Sequence, residues 1–185
     1  INLGNNDFGL AYNKPLSISA WVNQHNAGQD TVVSKRSAGG AYAGWEVRIL
    51  STGEVMFLFS QNGFSIYINT TSTTQLSPNT WYHIAITYDG SVDPAGFKIY
   101  INGSPETVTS DSKGTVTTFA TATAASIGAR GATNLPFDGN IDEVSIFDKE
   151  LSSDEVTTLW NSGSPGNAMT LNPKGYYPVG EQART

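Results

Sequence analysis

The sequence predicts an all-β fold, an antiparallel β-sandwich of two sheets finished by one short C-terminal helix, and three observations carry that reading. Between Trp81 and Tyr88, Tyr82, Ile84, Ile86 and Tyr88 share one face while Trp81, His83, Ala85 and Thr87 share the other, the period of two that a strand imposes. Phe97, Ile99 and Ile101 repeat the pattern against Lys98, Tyr100 and Asn102. Asn102-Gly103 then supplies the positive φ of a tight hairpin, so a returning strand is expected from Pro105 to Val108. A helix start is marked only near the end, where Ser152 and Glu155 stand in capping-box register and Leu151 and Val156 in hydrophobic-staple register.

The other elements follow in chain order. Leu16, Ile18, Ala20 and Val22 make one face of an early strand, with Trp21 on the other beside Ser17 and Ser19. Val32 and Val33 form a short strand, and Ser37 to Gly44 is too glycine-rich for anything but a loop. Trp45, Val47 and Ile49 alternate with Glu46 and Arg48. After the Ser51-Thr52-Gly53 turn, Val55, Phe57 and Phe59 alternate with Met56 and Leu58, so both faces of that strand are apolar. Such a strand is central and covered on both sides, or open only on a recessed concave face. Phe64 to Ile68 is a strand, Thr70 to Thr74 a connector, and Thr115 to Ser126 an edge strand of low complexity. The last strand, Gly139 to Asp148, leads into the helix, which Gly163 and Pro165 end. The domain is therefore expected over 1–163, with 164–185, punctuated by proline and glycine, as a linker toward a following region.

A chain of 185 residues with 38% hydrophobic content buries one substantial core. It has no cysteine, which removes disulfides, thiolate metal sites and cysteine nucleophiles without fixing the compartment. A formal charge of −6, with only 10 Lys and Arg, opposes a phosphate-neutralising surface, so neither nucleic acid nor an anionic membrane is an expected partner. No apolar run reaches the roughly 20 residues that span a bilayer. The chain opens on Ile1 without an initiator Met or signal peptide, as expected of a piece processed or cut from something longer.

Several segments together resemble a known family: LSISAWV (16–22), GEVMF (53–57), WYHIAITYDG (81–90), KIYING (98–103), SIG (126–128) and FDGNIDEVSIFDKELSSDEVTTLW (137–160). In order and spacing they are similar to the laminin-G-like jelly-roll module of the concanavalin A-like lectin/glucanase superfamily. The resemblance implies a jelly-roll sandwich and makes INLGNNDFGL (1–10) its first strand. It also gives His83 a structural place, and it implies that Asp142 helps hold a structural calcium ion near that first strand. Asp142 is expected on the strand face of Val144 and Ile146, where a carboxylate needs a cation or hydrogen bonds. The Asp89-Gly90-Ser91-Val92-Asp93 loop is a second calcium candidate, since its spaced oxygens suit a hard cation. This superfamily hosts glycosidases, sugar binders, adhesive modules and virion parts, so function has to come from the site.

Glycosidases set paired carboxylates on one concave strand face, aimed at a single glycosidic oxygen. No such string occurs: Asp142 and Glu143 are adjacent and expected on opposite faces, Asp154 and Glu155 belong to the helix start, and Glu46 and Glu54 are isolated in sequence. No Gly-x-Ser-x-Gly elbow accompanies His25 or His83. No catalytic activity is therefore expected, a glycoside hydrolase being the less favoured option. The expected function is recognition of a glycan or a protein surface, as one domain of a larger extracellular, cell-surface or virion-associated protein. The alternative is a purely structural decoration or spacer domain. Sugar sites use flat aromatic faces with planar hydrogen-bonding partners, which makes Trp21, Tyr42, Trp45, Tyr67 and Tyr100 the ligand-binding candidates.

Overall fold

A computed structural model describes residues 1–131 and 133–180. Among the described residues the strands are β1 (Leu16–Gln24), β2 (Asp30–Arg36), β3 (Gly44–Ile49), β4 (Glu54–Asn62), β5 (Ile66–Gln75), β6 (Tyr82–Tyr88), β7 (Phe97–Ile101), β8 (Ser104–Pro105), β9 (Val108–Lys113), β10 (Ser126–Ile127), β11 (Gly139–Phe147) and β12 (Gly175–Tyr177), with one α-helix, α1 (Ser153–Trp160). They form two six-stranded antiparallel sheets, one in the order β10-β2-β3-β4-β5-β9 and the other β12-β11-β1-β6-β7-β8. We call these the front and back sheets. This is the two-sheet jelly-roll sandwich that the alternation predicts.

The core lies between the sheets and is made by the inward half of each alternating pattern. Leu16, Ile18, Ile84, Ile86, Ile99 and Ile146 of the back sheet meet Trp45, Val47, Val55, Phe57, Phe59 and Ile68 of the front sheet. Aromatic rings fill its centre. Phe59 contacts Phe57, Tyr88 and Phe97 edge-on, and Tyr88 stacks on Phe97 with centroids 4.2 Å apart. The predicted hairpin after β7 forms, with Asn102 at φ 49° and Gly103 at φ 77°. Glycine is needed at 103 for a second reason: a Cβ there would lie 2.8 Å from the Trp160 ring.

Five expectations are corrected. Residues 1–10 make only an isolated bridge, Asn2 to Ser126, and cover the β10 edge through Leu3 N–H to Ala125 O at 2.7 Å. Thr70 to Thr74 belong to β5, because alternate threonines share a pleated surface as well as a connector does. Residues 115–125 form no strand. Their backbone turns instead to the Gln61 side chain, which accepts from Thr117 N–H and Thr118 N–H, while Val116 and Phe119 plug the core and Phe119 stacks on Phe59. The return after Gly103 is only the two-residue β8, after which the chain crosses to the front sheet as β9. Finally, the segment from 164 to 180 is packed rather than linking: β12 pairs with β11, and Gly180 N–H donates to Asp142. Residues 181–185, the rest of that expected linker, lie outside the described residues.

Helix α1 begins as the sequence predicts. Ser152 Oγ accepts from Glu155 N–H at 3.2 Å and Glu155 Oε2 accepts from Ser152 N–H at 2.9 Å, a complete capping box. Its end comes earlier than Gly163, with Asn161 in the left-handed conformation after Trp160. Val156 and Leu159 bury against Ala85, Tyr100 and Phe147, so the helix and the segment after it close the outer face of the back sheet. Among the described residues no segment covers the outer face of the front sheet in this way, and this asymmetry positions the candidate site. No helix among the described residues is long and apolar enough to cross a membrane.

Candidate functional site

The front sheet's outer face is built from the residues that alternate with its core residues. On β3 these are Glu46 and Arg48, on β4 Met56 and Leu58, and on β5 Tyr67 and Asn69, aligned by the register Glu46↔Leu58↔Asn69. The loop before β3 adds Tyr42, and Arg130 reaches in from beyond β10. All of these except the fully buried Glu46 line an open groove of about 390 Å³. Met56 and Leu58 form its floor and are buried although they face away from the core, which is the recessed face expected of a strand apolar on both sides. Phe64, 82% exposed, stands at the rim.

Charge in the groove is organised around Glu46, which is 0% exposed. Its carboxylate accepts from Thr31 Oγ1 at 2.9 Å and from Arg36 Nη1 at 3.2 Å, with Arg130 Nη1 at 3.6 Å. Arg36 also donates from Nε to Tyr42 O at 3.0 Å. Arg48 is served less well. Its Nη1 is 3.5 Å from Gln29 Oε1 and its Nη2 3.7 Å from the weak acceptor Met56 Sδ, while Nε has no partner among the described residues. The Nε of Arg130 is likewise unpartnered among them. Burial pulls the Arg36 and Arg48 pKa values below the usual guanidinium range; Glu46 opposes that shift and Arg130 adds to it. The Tyr42 ring lies 5.5 Å from the Arg36 guanidinium carbon and 5.9 Å from that of Arg130, within cation–π range.

A second hollow, of about 650 Å³, opens at one end of the back sheet between Trp21, Trp81, Asp142, Glu143, Tyr176 and the 163–167 segment. Here the structure corrects the strand-face reading of Asp142. A β-bulge inserts one residue in β11 opposite Ala20, with Glu143 at φ 53°, so Asp142 pairs with the outward Trp21 and lies on the outer face. Both carboxylates consequently line one hollow instead of opposite faces. They are engaged from within the fold: Asp142 Oδ1 accepts from Glu143 N–H at 2.8 Å and Gly180 N–H at 2.9 Å, and Glu143 accepts from Tyr176 OH. The groove is therefore lined by arginines whose charge Glu46 only partly balances, whereas the hollow is lined by acceptors already in use.

Of the five aromatic candidates, Tyr42 and Tyr67 come together at the groove. Trp21 is buried, packs 5.5 Å from His83 and walls the back hollow. Trp45 and Tyr100 are not surface groups. Trp45 is on the core face of β3 and 1% exposed, and Tyr100 lies beneath α1. The period-two pattern shows that Trp45 shares a face with Val47 and Ile49, and that face turned inward because the other carries Glu46 and Arg48.

The calcium candidates are separated in space. Asp142 sits in the back hollow, while Asp89 and Asp93 lie in a loop where their Oδ1 atoms accept from Ser91 N–H and Ala95 N–H, each at 2.8 Å. Among the described residues no three acidic or histidine side chains converge as a metal group. His83 is fully buried with Nε2 2.8 Å from Ser19 Oγ, and burial pushes its pKa down to about 3.

Over residues 1–157 the chain matches a laminin-G family model of the concanavalin A-like lectin/glucanases superfamily. The chain belongs to that superfamily. No curated protein matches it significantly. Among solved structures, it is similar to a candidate carbohydrate-binding protein from Bacteroides ovatus, at 21% identity and TM-score 0.61, covering 92% of this chain and 46% of that one. It is also similar to the binding domain of botulinum neurotoxin DC in complex with rat synaptotagmin II, at 20% identity and TM-score 0.58, covering 81% and 36%. A third is botulinum neurotoxin type C, whose cell entry depends on interaction with two ganglioside molecules, at 19% identity and TM-score 0.55, covering 80% and 36%. The chain thus spans less than half the length of these structures, and at such identities the likeness shows the fold. The site residues that sequence reasoning does not single out are Arg48 and Arg130. Arg48 is signalled by its place beside Glu46 on the polar face of β3, but nothing local to Arg130 connects it to β3.

Proposed function

We propose that this domain is a non-catalytic recognition module that binds a glycan or a protein surface in the front-sheet groove, as part of a larger extracellular or virion-associated protein. The observation that carries the reading is the uncovered outer face of the front sheet, where an apolar floor, two tyrosines, planar amides and arginines whose charge Glu46 only partly balances meet in one concavity. The Bacteroides ovatus carbohydrate-binding candidate, the toxin domain in complex with synaptotagmin and the toxin that depends on gangliosides support it as examples of what this fold hosts. Hydrolysis is opposed by the site chemistry. Glu46 is buried and neutralised by arginine, and Asp142 and Glu143 are tied to the fold.

The test is a broad glycan panel with two readouts, equilibrium binding and release of reducing ends. Binding without release is expected. Turnover that disappears in Asp142→Asn would overturn the non-catalytic assignment, and absence of binding across the panel would favour a spacer role. Calcium is a separate proposal supported by the family resemblance, with Asp142 as its first ligand. Melting in calcium and in EDTA decides it, because an ion held only by the folded state raises the melting temperature. Identical curves, with no calcium by elemental analysis, remove it.

A further inference from the structure

The chain carries a formal charge of −6, yet the groove is cationic. Three guanidinium groups, those of Arg36, Arg48 and Arg130, face one carboxylate, Glu46, so the cluster carries an excess of two positive charges. Among the described residues no carboxylate lines the groove itself; Asp111, beside it, accepts from Tyr67 OH at 2.6 Å. Glu46 is already occupied by Thr31 and Arg36. Arg48 and Arg130 are left with buried Nε–H groups unmet among the described residues, and an unsatisfied buried donor is destabilising. Water does not remove the like-charge repulsion between neighbouring guanidiniums, and an anion bound among them does.

We propose that the groove binds a carboxylate-bearing saccharide, a hexuronate unit, with Arg48 and Arg130 holding the carboxylate. This inference rests on the recognition reading and narrows it to a ligand class. A planar carboxylate matches the guanidinium fork and takes two charge-assisted hydrogen bonds from it. The remainder of the groove suits the sugar ring rather than an extended peptide. Met56 and Leu58 offer an apolar floor for the C–H face, the Tyr42 and Tyr67 rings flank it, and the Asn69 and Gln29 amides can meet hydroxyl groups. Nucleic acid, the other polyanion, is disfavoured by the acidic remainder of the surface.

The experiment is calorimetric titration of the whole domain with tetrasaccharides of galacturonate, alginate and hyaluronan, each against its neutral carboxyl-methyl ester, and with a carrageenan tetrasaccharide, sulfated and free of uronate, as the sulfate arm. At least one uronate is expected to bind, with its ester weaker by about tenfold or more. Arg48→Gln and Arg130→Gln should each lower that affinity by about tenfold with melting temperature retained, and Arg48→Lys should restore it only in part. Equal binding of acid and ester, wild-type affinity in Arg48→Gln, or binding of the sulfated arm alone would overturn the proposal. If neutral glycans bind and no uronate does, the recognition reading stands and this inference falls. If no saccharide of either kind binds, this inference and the glycan half of the recognition reading both fall.

Discussion

Replacing Glu46 with glutamine is expected to destabilise the domain by about 3–5 kcal/mol, the usual consequence of removing one partner from a buried ion pair. Glu46 is fully buried, and its two oxygens hold Thr31, Arg36 and, at 3.6 Å, Arg130. The amide keeps the shape and loses the carboxylate that these guanidiniums face, so three positive charges are left opposite one another inside the groove. The destabilisation comes mainly from the stranded arginines, so adding Arg36→Met to Glu46→Gln should recover part of it. Urea denaturation of the single and double variants measures both effects. A loss below about 1 kcal/mol for Glu46→Gln would mean that solvent, not Glu46, neutralises the cluster.

The second large effect is on pH dependence. His83 titrates near 6.5 when unfolded and at about 3 in the folded domain, because burial under the back sheet's cover disfavours the imidazolium. Between those values the unfolded chain holds a proton that the folded chain does not. Stability therefore rises with pH across the window, is intact above about pH 6.5, and is lost as pH falls toward 3, by about 5 kcal/mol in full. From pH 6.5 to 4 the wild type should lose about 3 kcal/mol more than His83→Gln, whose amide does not titrate there. Comparing slopes rather than absolute stabilities separates this effect from any packing defect in the variant and from the carboxylates common to both. Parallel curves for the two proteins would contradict it.

Most of the sandwich is legible in the alternation of the sequence. It places Ile84, Ile86 and Tyr88 inward with Phe97 and Ile99, and the capping box places α1, because those signals are local and the residues that make them are neighbours. Three features are hidden for a common reason. The β11 bulge that turns Asp142 outward depends on register against β1, and the β12 edge strand depends on pairing with β11. The third, the groove, depends on Arg130 arriving beside Glu46 from a distant loop. Each is a property of pairing between remote segments, to which a single strand's period is blind. The aromatic residues show the same boundary: Tyr42 and Tyr67 reach the groove, while Trp45 and Tyr100 belong to buried layers. Their residue type is shared, and only the face that folding buries separates them.

We place recognition on the open face of the front sheet and not at the covered back sheet. Mapping tests it most directly: nuclear magnetic resonance of the domain titrated with its tightest-binding saccharide, reading backbone amides and arginine Nε–H groups. Perturbations are expected to concentrate at Tyr42, Arg48, Tyr67 and Arg130, with the Arg48 and Arg130 side-chain signals moving most. Perturbations centred on Trp21, Trp81 and Tyr176, with the groove unchanged, would contradict it and move the binding site to the back hollow.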